Sequence, residues 1–388
     1  MPTFIPSRAA ALERLATIAP RTGRTYAAER NTDAGPEALP TTAALSPYLR
    51  RRMLTEAETV DAARAATGAA SEKFVEEVFW RTYWKGWLEQ RPSVWTGYRE
   101  QLVRDENRLA TESGLRRIFS DATEGRTGIE CFDDWARELV TQNWLHNHTR
   151  MWFASIWIFT LRLPWALGAD FFARHLLDGD PASNTLSWRW VAGLHTRGKN
   201  YLARAENIAR YTQGRFDPRG ELDELAEPLT EEHVYPAVRL RAADPVPSGE
   251  VALLLHDDDL CPETFDLGAA RVVAVAGVSA FSGMARRGVA DRVAEFSDAA
   301  VDDALGRAGR LFGVEPLRLG PSDVQSWAAS SKVPLVTPYA PVGPTADALA
   351  PLTAIRLRRS WDTEAWPNCT KGFFGLRTHI GQMLRQAG

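Results

Sequence analysis

The sequence predicts an α + α/β protein: a helical region over residues 1–225, a linker over 226–248 and a smaller α/β region over 249–388. Three observations carry this. Apolar residues in the first 225 positions recur at helical spacing, with no convincing alternation of the strand type. The stretch FDPRGELDELAEPLTEEHVYPAVRLRAADPVPSGE at 216–250 is polar and rich in proline, which marks a change of texture. Beyond it, short β-branched runs alternate with helical segments, the pattern of a largely parallel, Rossmann-like sheet.

Within the first region, periodicity places helices near 55–67, 71–90, 97–120, 130–161 and 169–177. The apolar run MWFASIWIFTLRLPWALG at 151–168 is interrupted by Arg162 and Pro164. It falls short of the ~20 apolar residues a membrane span needs, and so predicts a buried core helix ending before Pro164. In the second region the strands are VALLLH at 251–256, RVVAVAG at 271–277, VPLVTP at 333–338 and TAIRLR at 353–358. Helical segments at 284–311, 322–330 and 345–350 lie between them.

Composition narrows the function. At 388 residues the chain exceeds one typical domain of ~100–200 residues. A net charge of −3 gives no global footprint of a nucleic-acid binder, although a local basic patch fits within it. Cys131, Cys261 and Cys369 are odd in number and scattered, so neither a disulfide framework nor a thiolate metal site is expected. The N-terminal MPTFIPSRAAALERL has charges where a signal peptide needs an apolar core. A cytoplasmic monomer with no metal and no membrane contact is the expectation.

Eleven of the fourteen tryptophans lie between Trp80 and Trp190. Large rings are ordinary core material, but this density also suits a stacked aromatic cofactor. In NWLHNHTRM at 143–151, helical spacing puts Trp144, Asn147 and Met151 on one face with Arg150 beside it. His146 and His148 are two apart, which does not suit a metal. In HLLDGDPASNTLSWRW at 175–190, glycine and proline force a turn that brings Asp178 and Asp180 to a helix terminus. Asp178 can pair with Arg150, and Asp180 can accept from a ring N–H. The EF-hand pattern fails there, because Ala182 takes the third acidic place. In KFVEEVFWRTYWKGW at 73–87, Phe74, Glu77 and Arg81 share a ridge next to Trp80 and Trp84. Glu77 either pairs with Arg81 or waits for a substrate, since a buried acid without a partner is costly. In TTAALSPYL at 41–49, Thr42 and Ser46 are helix caps or diphosphate contacts.

In their order and spacing, GRTGIECFDDWARELVTQNWLHNHTRM, Trp165, HLLDGDPASNTLSWRW and YTQGRFDPRGEL resemble the flavin-binding domain of the DNA photolyase and cryptochrome family, over roughly residues 20–225. The resemblance implies bound FAD. Tyr26, Thr42, Leu45, Ser46, Phe74, Arg81, Trp144, Asn147, Arg150, Asp178, Asp180 and Asn184 match its cofactor contacts, with Asn184 facing flavin N5. Thr42-Ala43 replaces the family's usual Thr-Ser and removes one hydroxyl. Arg30, in a Tyr-x-x-x-Arg arrangement with Tyr26, matches a DNA-phosphate contact. Glu77, Trp80, Asn147, Met151 and Trp190 match a pocket for a cyclobutane pyrimidine dimer flipped out of UV-damaged DNA, with Glu77, Asn184 and Met151 in the catalytic group.

Asparagine at 184 is the photolyase residue, where plant-type cryptochromes tend to carry an acid. Asn147 and Met151 separate the chain from relatives that repair (6-4) photoproducts, which place histidines there. The activity implied is blue-light-driven repair by electron transfer from reduced FAD, a carbon–carbon lyase reaction. The alternatives are a cryptochrome-like photoreceptor without repair and a helical flavoprotein with a vestigial site. Trp188 and Trp165 match the inner members of the family's electron-transfer chain. Its distal member is missing, since there is no tryptophan between Trp95 and Trp135, which leaves Trp152 or Trp157 as exits. An α/β antenna region placed after the flavin domain is a further departure, and a second antenna chromophore is left unidentified. His148 stands where repair enzymes often have arginine.

Overall fold

The computed structural model describes residues 3–36 and 41–386. Twelve helices precede the sheet: α1 (Arg8–Ile18), α2 (Arg24–Glu29), α3 (Ser46–Arg50), α4 (Glu56–Thr67), α5 (Glu72–Glu89), α6 (Ser93–Thr111), α7 (Ser113–Thr123), α8 (Glu130–Gln142), α9 (Asn147–Ser155), α10 (Trp165–His175), α11 (Pro181–Val191) and α12 (Ala205–Tyr211). Then come β1 (Ser248–His256), β2 (Ala269–Val278), α13 (Asp291–Phe312), β3 (Pro316–Arg318), α14 (Val324–Ser330), β4 (Leu335–Pro338), α15 (Pro344–Leu349), β5 (Ile355–Leu357), α16 (Ser360–Ala365) and α17 (Phe373–Gln386).

Local chemistry fixes the helix ends. Thr55 and Glu58 form a reciprocal capping box at the start of α4. Asp180 caps α11 through a 2.8 Å bond from the Ser183 N–H, with Pro181 in the first turn. Two of the expected helices are broken. Asn143 takes a left-handed conformation (φ 57°), which asparagine tolerates better than most residues, and it divides 130–161 into α8 and α9. Extended backbone at Glu112 divides 97–120 into α6 and α7. After α9, Ile156–Thr160 form a π-helical turn, and Arg162 (φ 54°) and Pro164 redirect the chain into α10. No described helix is long and apolar enough to cross a membrane.

The sheet runs β3-β2-β1-β4-β5 with every described pair parallel. Alternation along β1 divides its side chains between two faces. Val251, Leu253 and Leu255 join the large core shared with the helical region, whereas Ala252 and Leu254 pack with Val324, Leu349 and Leu352 beneath α14 and α15. Trp135, Trp152, Trp157 and Trp188 are fully buried in the helical core.

Three consecutive arginines at the end of α3 meet three consecutive aspartates after β1, all buried. Arg50 pairs with Asp258 and also donates to the Gly179 carbonyl at 2.7 Å. Arg52 donates to both Asp362 oxygens at 2.7 Å and lies 3.4 Å from Asp259, which Arg359 also holds. Arg51 donates to the Leu177 carbonyl and lies over the rings of Phe281 and Phe296. Asp257 accepts from Ser279, Ser297 and the Ala280 N–H. Among the described residues no group of acids, histidines or cysteines is arranged to hold a metal. The HDDD run at 256–259 is thus one half of a clasp between the sheet and the helical region, whose arginines Arg50 and Arg51 also donate to the Gly179 and Leu177 carbonyls.

Candidate functional site

A cavity of about 460 Å³ opens between α2, the 42–46 segment, α5, α9 and α11. Every residue matched above to the cofactor, the dimer or the electron-transfer chain lies on its wall except Trp165. Tyr26 and Arg30 come from α2, and Thr42, Leu45 and Ser46 from the segment that turns into α3. Phe74, Glu77, Trp80 and Arg81 come from one side of α5. Trp144, Asn147, Arg150 and Met151 follow the α8–α9 break, and Asp178, Asp180, Asn184, Trp188 and Trp190 lie on the corner and α11.

The acidic corner is tightly held. Arg150 donates to both oxygens of Asp178 at 3.0 and 2.8 Å, and its Nε donates to the Leu145 carbonyl. Burial works against ionisation of Asp178, yet the Arg150 guanidinium outweighs it and holds the carboxyl below the usual range. Asp180 uses one oxygen as the helix cap, while its other lies 3.7 Å from Arg81 and 3.8 Å from Lys85. Burial again opposes ionisation, and Lys85, Arg81 and Arg50 together hold the carboxyl low. The Asn184 amide donates to the Ala169 carbonyl at 2.8 Å, which fixes its plane against α10. The Trp144 indole reaches the Ser46 hydroxyl at 3.4 Å.

The opposite side is aromatic and less saturated. Burial pushes the Glu77 carboxyl up, and the Arg30 guanidinium, 2.8 Å away, offsets only part of this. Arg30 is therefore the partner of Glu77, and Arg81, the partner weighed from helical spacing, turns to Asp180. Trp190 stacks on Tyr201 at 5.6 Å, and Trp80 stacks on Phe373 at 4.0 Å.

Several expectations change. Trp144 is not on the α9 face with Asn147 and Met151, because it lies in the break that Asn143 makes; it meets them across the cavity instead. Neither Thr42 nor Ser46 caps α3: Leu45 occupies the cap position and bonds through no side chain. His148 stacks on Trp152 at 4.2 Å and bonds the Asn31 carbonyl, so it is a buried packing group. Trp165 packs on Tyr98 at 5.6 Å, which in turn packs on Trp95, whereas Trp188 meets Trp157 edge-on at 6.2 Å. Lys85, Ser183 and Ser187 were not singled out from the sequence. Ser183 and Ser187 follow Asp180 at helical spacing, a signal that the Asp-Pro start of α11 supplies.

The wall also has unmet polar capacity. The Thr42 hydroxyl, one Arg81 nitrogen and the Trp188 N–H are buried with no hydrogen-bond partner. Buried polar groups are normally satisfied, so donors and an acceptor left open around a cavity fit a bound group with both polar and aromatic parts. Residues 74–224 match the family described as the FAD binding domain of DNA photolyase. Over this segment the chain is similar to the DNA photolyase family.

Named relatives are similar over part of the chain. Deoxyribodipyrimidine photo-lyase of Streptomyces griseus is 33% identical over 199 residues, which are 48% of this chain and 40% of the relative. The Thermus thermophilus protein of that name is 31% identical over 183 residues, 45% of this chain and 40% of the relative. The chain thus spans less than half the length of these curated relatives. A bacterial class III photolyase from Agrobacterium tumefaciens aligns in structure with a TM-score of 0.44 and 26% identity, over 53% of this chain and 43% of that one.

Proposed function

We propose that the photolyase-family region holds FAD in the 460 Å³ cavity and repairs cyclobutane pyrimidine dimers in DNA under blue light. The observation that carries this reading is one wall combining a saturated ionic corner with an acid of raised pKa between tryptophans. Bound FAD, reduced and excited, would supply an electron that opens the cyclobutane ring and then returns, leaving no net oxidation.

The chain's own residues give this chemistry its geometry. Arg150 and Asp178 form a rigid, oriented pair that cannot rotate away from the cofactor edge. The open donor of Arg81 and the Thr42 hydroxyl are positioned to bind its polar groups, and Asn184, fixed by Ala169, presents its amide to the ring. Glu77, whose carboxyl burial pushes up, is placed to hydrogen-bond a dimer once Arg30 swings to a phosphate. Asn147 and Met151 line the dimer's edge, and Trp80 and Trp190 offer ring faces for flipped bases. Trp188 lies against the cavity and Trp165 beyond it, as the two inner electron relays.

The sheet region takes the strand order of doubly wound, Rossmann-like folds, and we read it as an antenna-like domain. Ligands in such folds bind at the carboxyl ends of the central strands. Here Arg50 and Arg52 fill that edge, so a second chromophore would need another place.

Repair is tested with purified protein carrying reduced FAD and an oligonucleotide containing one thymine dimer. Under blue light, restored thymines are expected by chromatography. An unchanged dimer overturns the reading. The closed Glu77–Arg30 pair favours one alternative, a photoreceptor in which the acid never meets DNA. Under that reading Glu77→Gln leaves cellular UV survival untouched, whereas repair requires it to fall.

A further inference from the structure

The tryptophans on the aromatic side are each backed by a second ring. Trp190 rests on Tyr201 at 5.6 Å and 26°, within the photolyase-family segment. Trp80 rests on Phe373 at 4.0 Å and 10°, from the first turn of α17 and about 150 residues beyond that segment.

The path of α17 along α5 explains the second contact. Arg377 pairs with Glu76 and lies 3.7 Å from Glu72, Phe373 covers Trp80, and the Tyr83 hydroxyl donates to the Lys371 carbonyl at 2.8 Å. Glu72, Glu76 and Tyr83 thus form the stripe of α5 that faces α17. Phe74, Glu77, Arg81 and Trp84 form the stripe that faces the cavity. Trp80 stands on the ridge between them, with Phe373 against one face and the cavity on the other side.

We propose that Phe373 is a positioning residue for the substrate, fixing the plane of Trp80 so that its cavity side can stack on a flipped base. The proposal rests on the reading of Trp80 as a wall of the dimer pocket. Apart from Phe373, the part-exposed indole meets Tyr83 edge-on and Trp84 at a 37° tilt, and neither contact is parallel to its plane, so it could rock about its side-chain torsions. A parallel ring at van der Waals distance removes that freedom, and preorganisation of this kind raises affinity by lowering the ordering cost on binding. Residues after the sheet would then complete a site that is otherwise built entirely by the helical region.

The test is a binding cycle in the dark on the FAD-loaded full chain, with a dimer-containing oligonucleotide as probe. Trp80→Ala should weaken binding about tenfold, as loss of one base–aromatic stack does. Phe373→Leu, which keeps an apolar filler, should weaken it roughly three- to tenfold, and Phe373→Tyr should restore it. In the Trp80→Ala background, Phe373→Leu should add nothing. FAD content should match wild type throughout, showing that the fold is intact. Full binding by Phe373→Leu, or a penalty that persists in the Trp80→Ala background, overturns the proposal while leaving the dimer-pocket reading in place. Full binding by Trp80→Ala overturns both.

Discussion

Buried charge occurs in two neighbouring places in this molecule, with opposite outcomes. At the sheet edge, Asp257, Asp258 and Asp259 find serines, a backbone N–H and arginines, and although nitrogens of Arg50 and Arg51 there also lack a hydrogen-bond partner, none of the three acids lines the cavity. At the cavity, Asp178 and Asp180 are equally buried and also paired, but around them a hydroxyl, a guanidinium nitrogen and an indole N–H stay open. The contrast teaches that burial and perturbed ionisation alone do not mark a site. Unmet polar capacity around an opening does.

The strongest way to break the comparison is acid. Asp258 and Asp259 at the edge, and Asp178 and Asp180 at the cavity, all ionise more readily folded than unfolded: burial opposes this, but the facing cations prevail. Their stabilising contribution is therefore fully present above the unfolded value of ~3.9 and is lost as pH falls through the lower folded values. Thermal melting followed by circular dichroism should drop steeply below about pH 4, in one transition. Two separated transitions would show that edge and cavity are independent units.

Asp258→Ala comes next. It strands the Arg50 guanidinium in the interior, and breaking a buried pair in this way costs about 3–5 kcal/mol. Urea denaturation measures the loss, which should exceed that of any single change at the cavity wall. Asp178→Asn should cost less stability and more function: FAD affinity should fall roughly ten- to hundredfold, the equivalent of a charged hydrogen bond of ~1.5–3 kcal/mol, as read by flavin fluorescence. The smallest effect is expected from Tyr201→Leu, behind Trp190. About 0.5–1.5 kcal/mol of ring pairing is lost, and dimer binding should weaken by no more than about tenfold.

Much of the cavity was legible because its residues announce themselves locally. Asp180-Pro181 is a helix start, and the Arg150–Asp178 pair follows from opposite charges that a forced turn brings together. Partners set by distant elements were not legible. Nothing near Glu77 indicates that α2 will deliver Arg30, and spacing along α5 suggested Arg81 instead. Helical periodicity ran through Asn143 because the apolar pattern continues across it, while a single left-handed residue redirects the backbone. The short elements β3 and α16 gave too few turns or alternations to register, and the 14-residue α17 was not assigned, so the ring behind Trp80 was invisible. The match between RRR at 50–52 and DDD at 257–259 stands in the sequence, but only the fold shows that they meet.

The arginine clasp also orders events in time. Arg50 bonds the carbonyl of Gly179 and the carboxylate of Asp258, a residue 208 positions away. During synthesis the helical region emerges first, yet the corner that receives the cofactor rests on a guanidinium whose counter-charge has still to be made. Until β1 has been translated and has docked, Arg50 is a cation without its anion in an apolar interior. The sheet region thus completes a corner that the helical region builds, and cofactor loading belongs after β1 has docked.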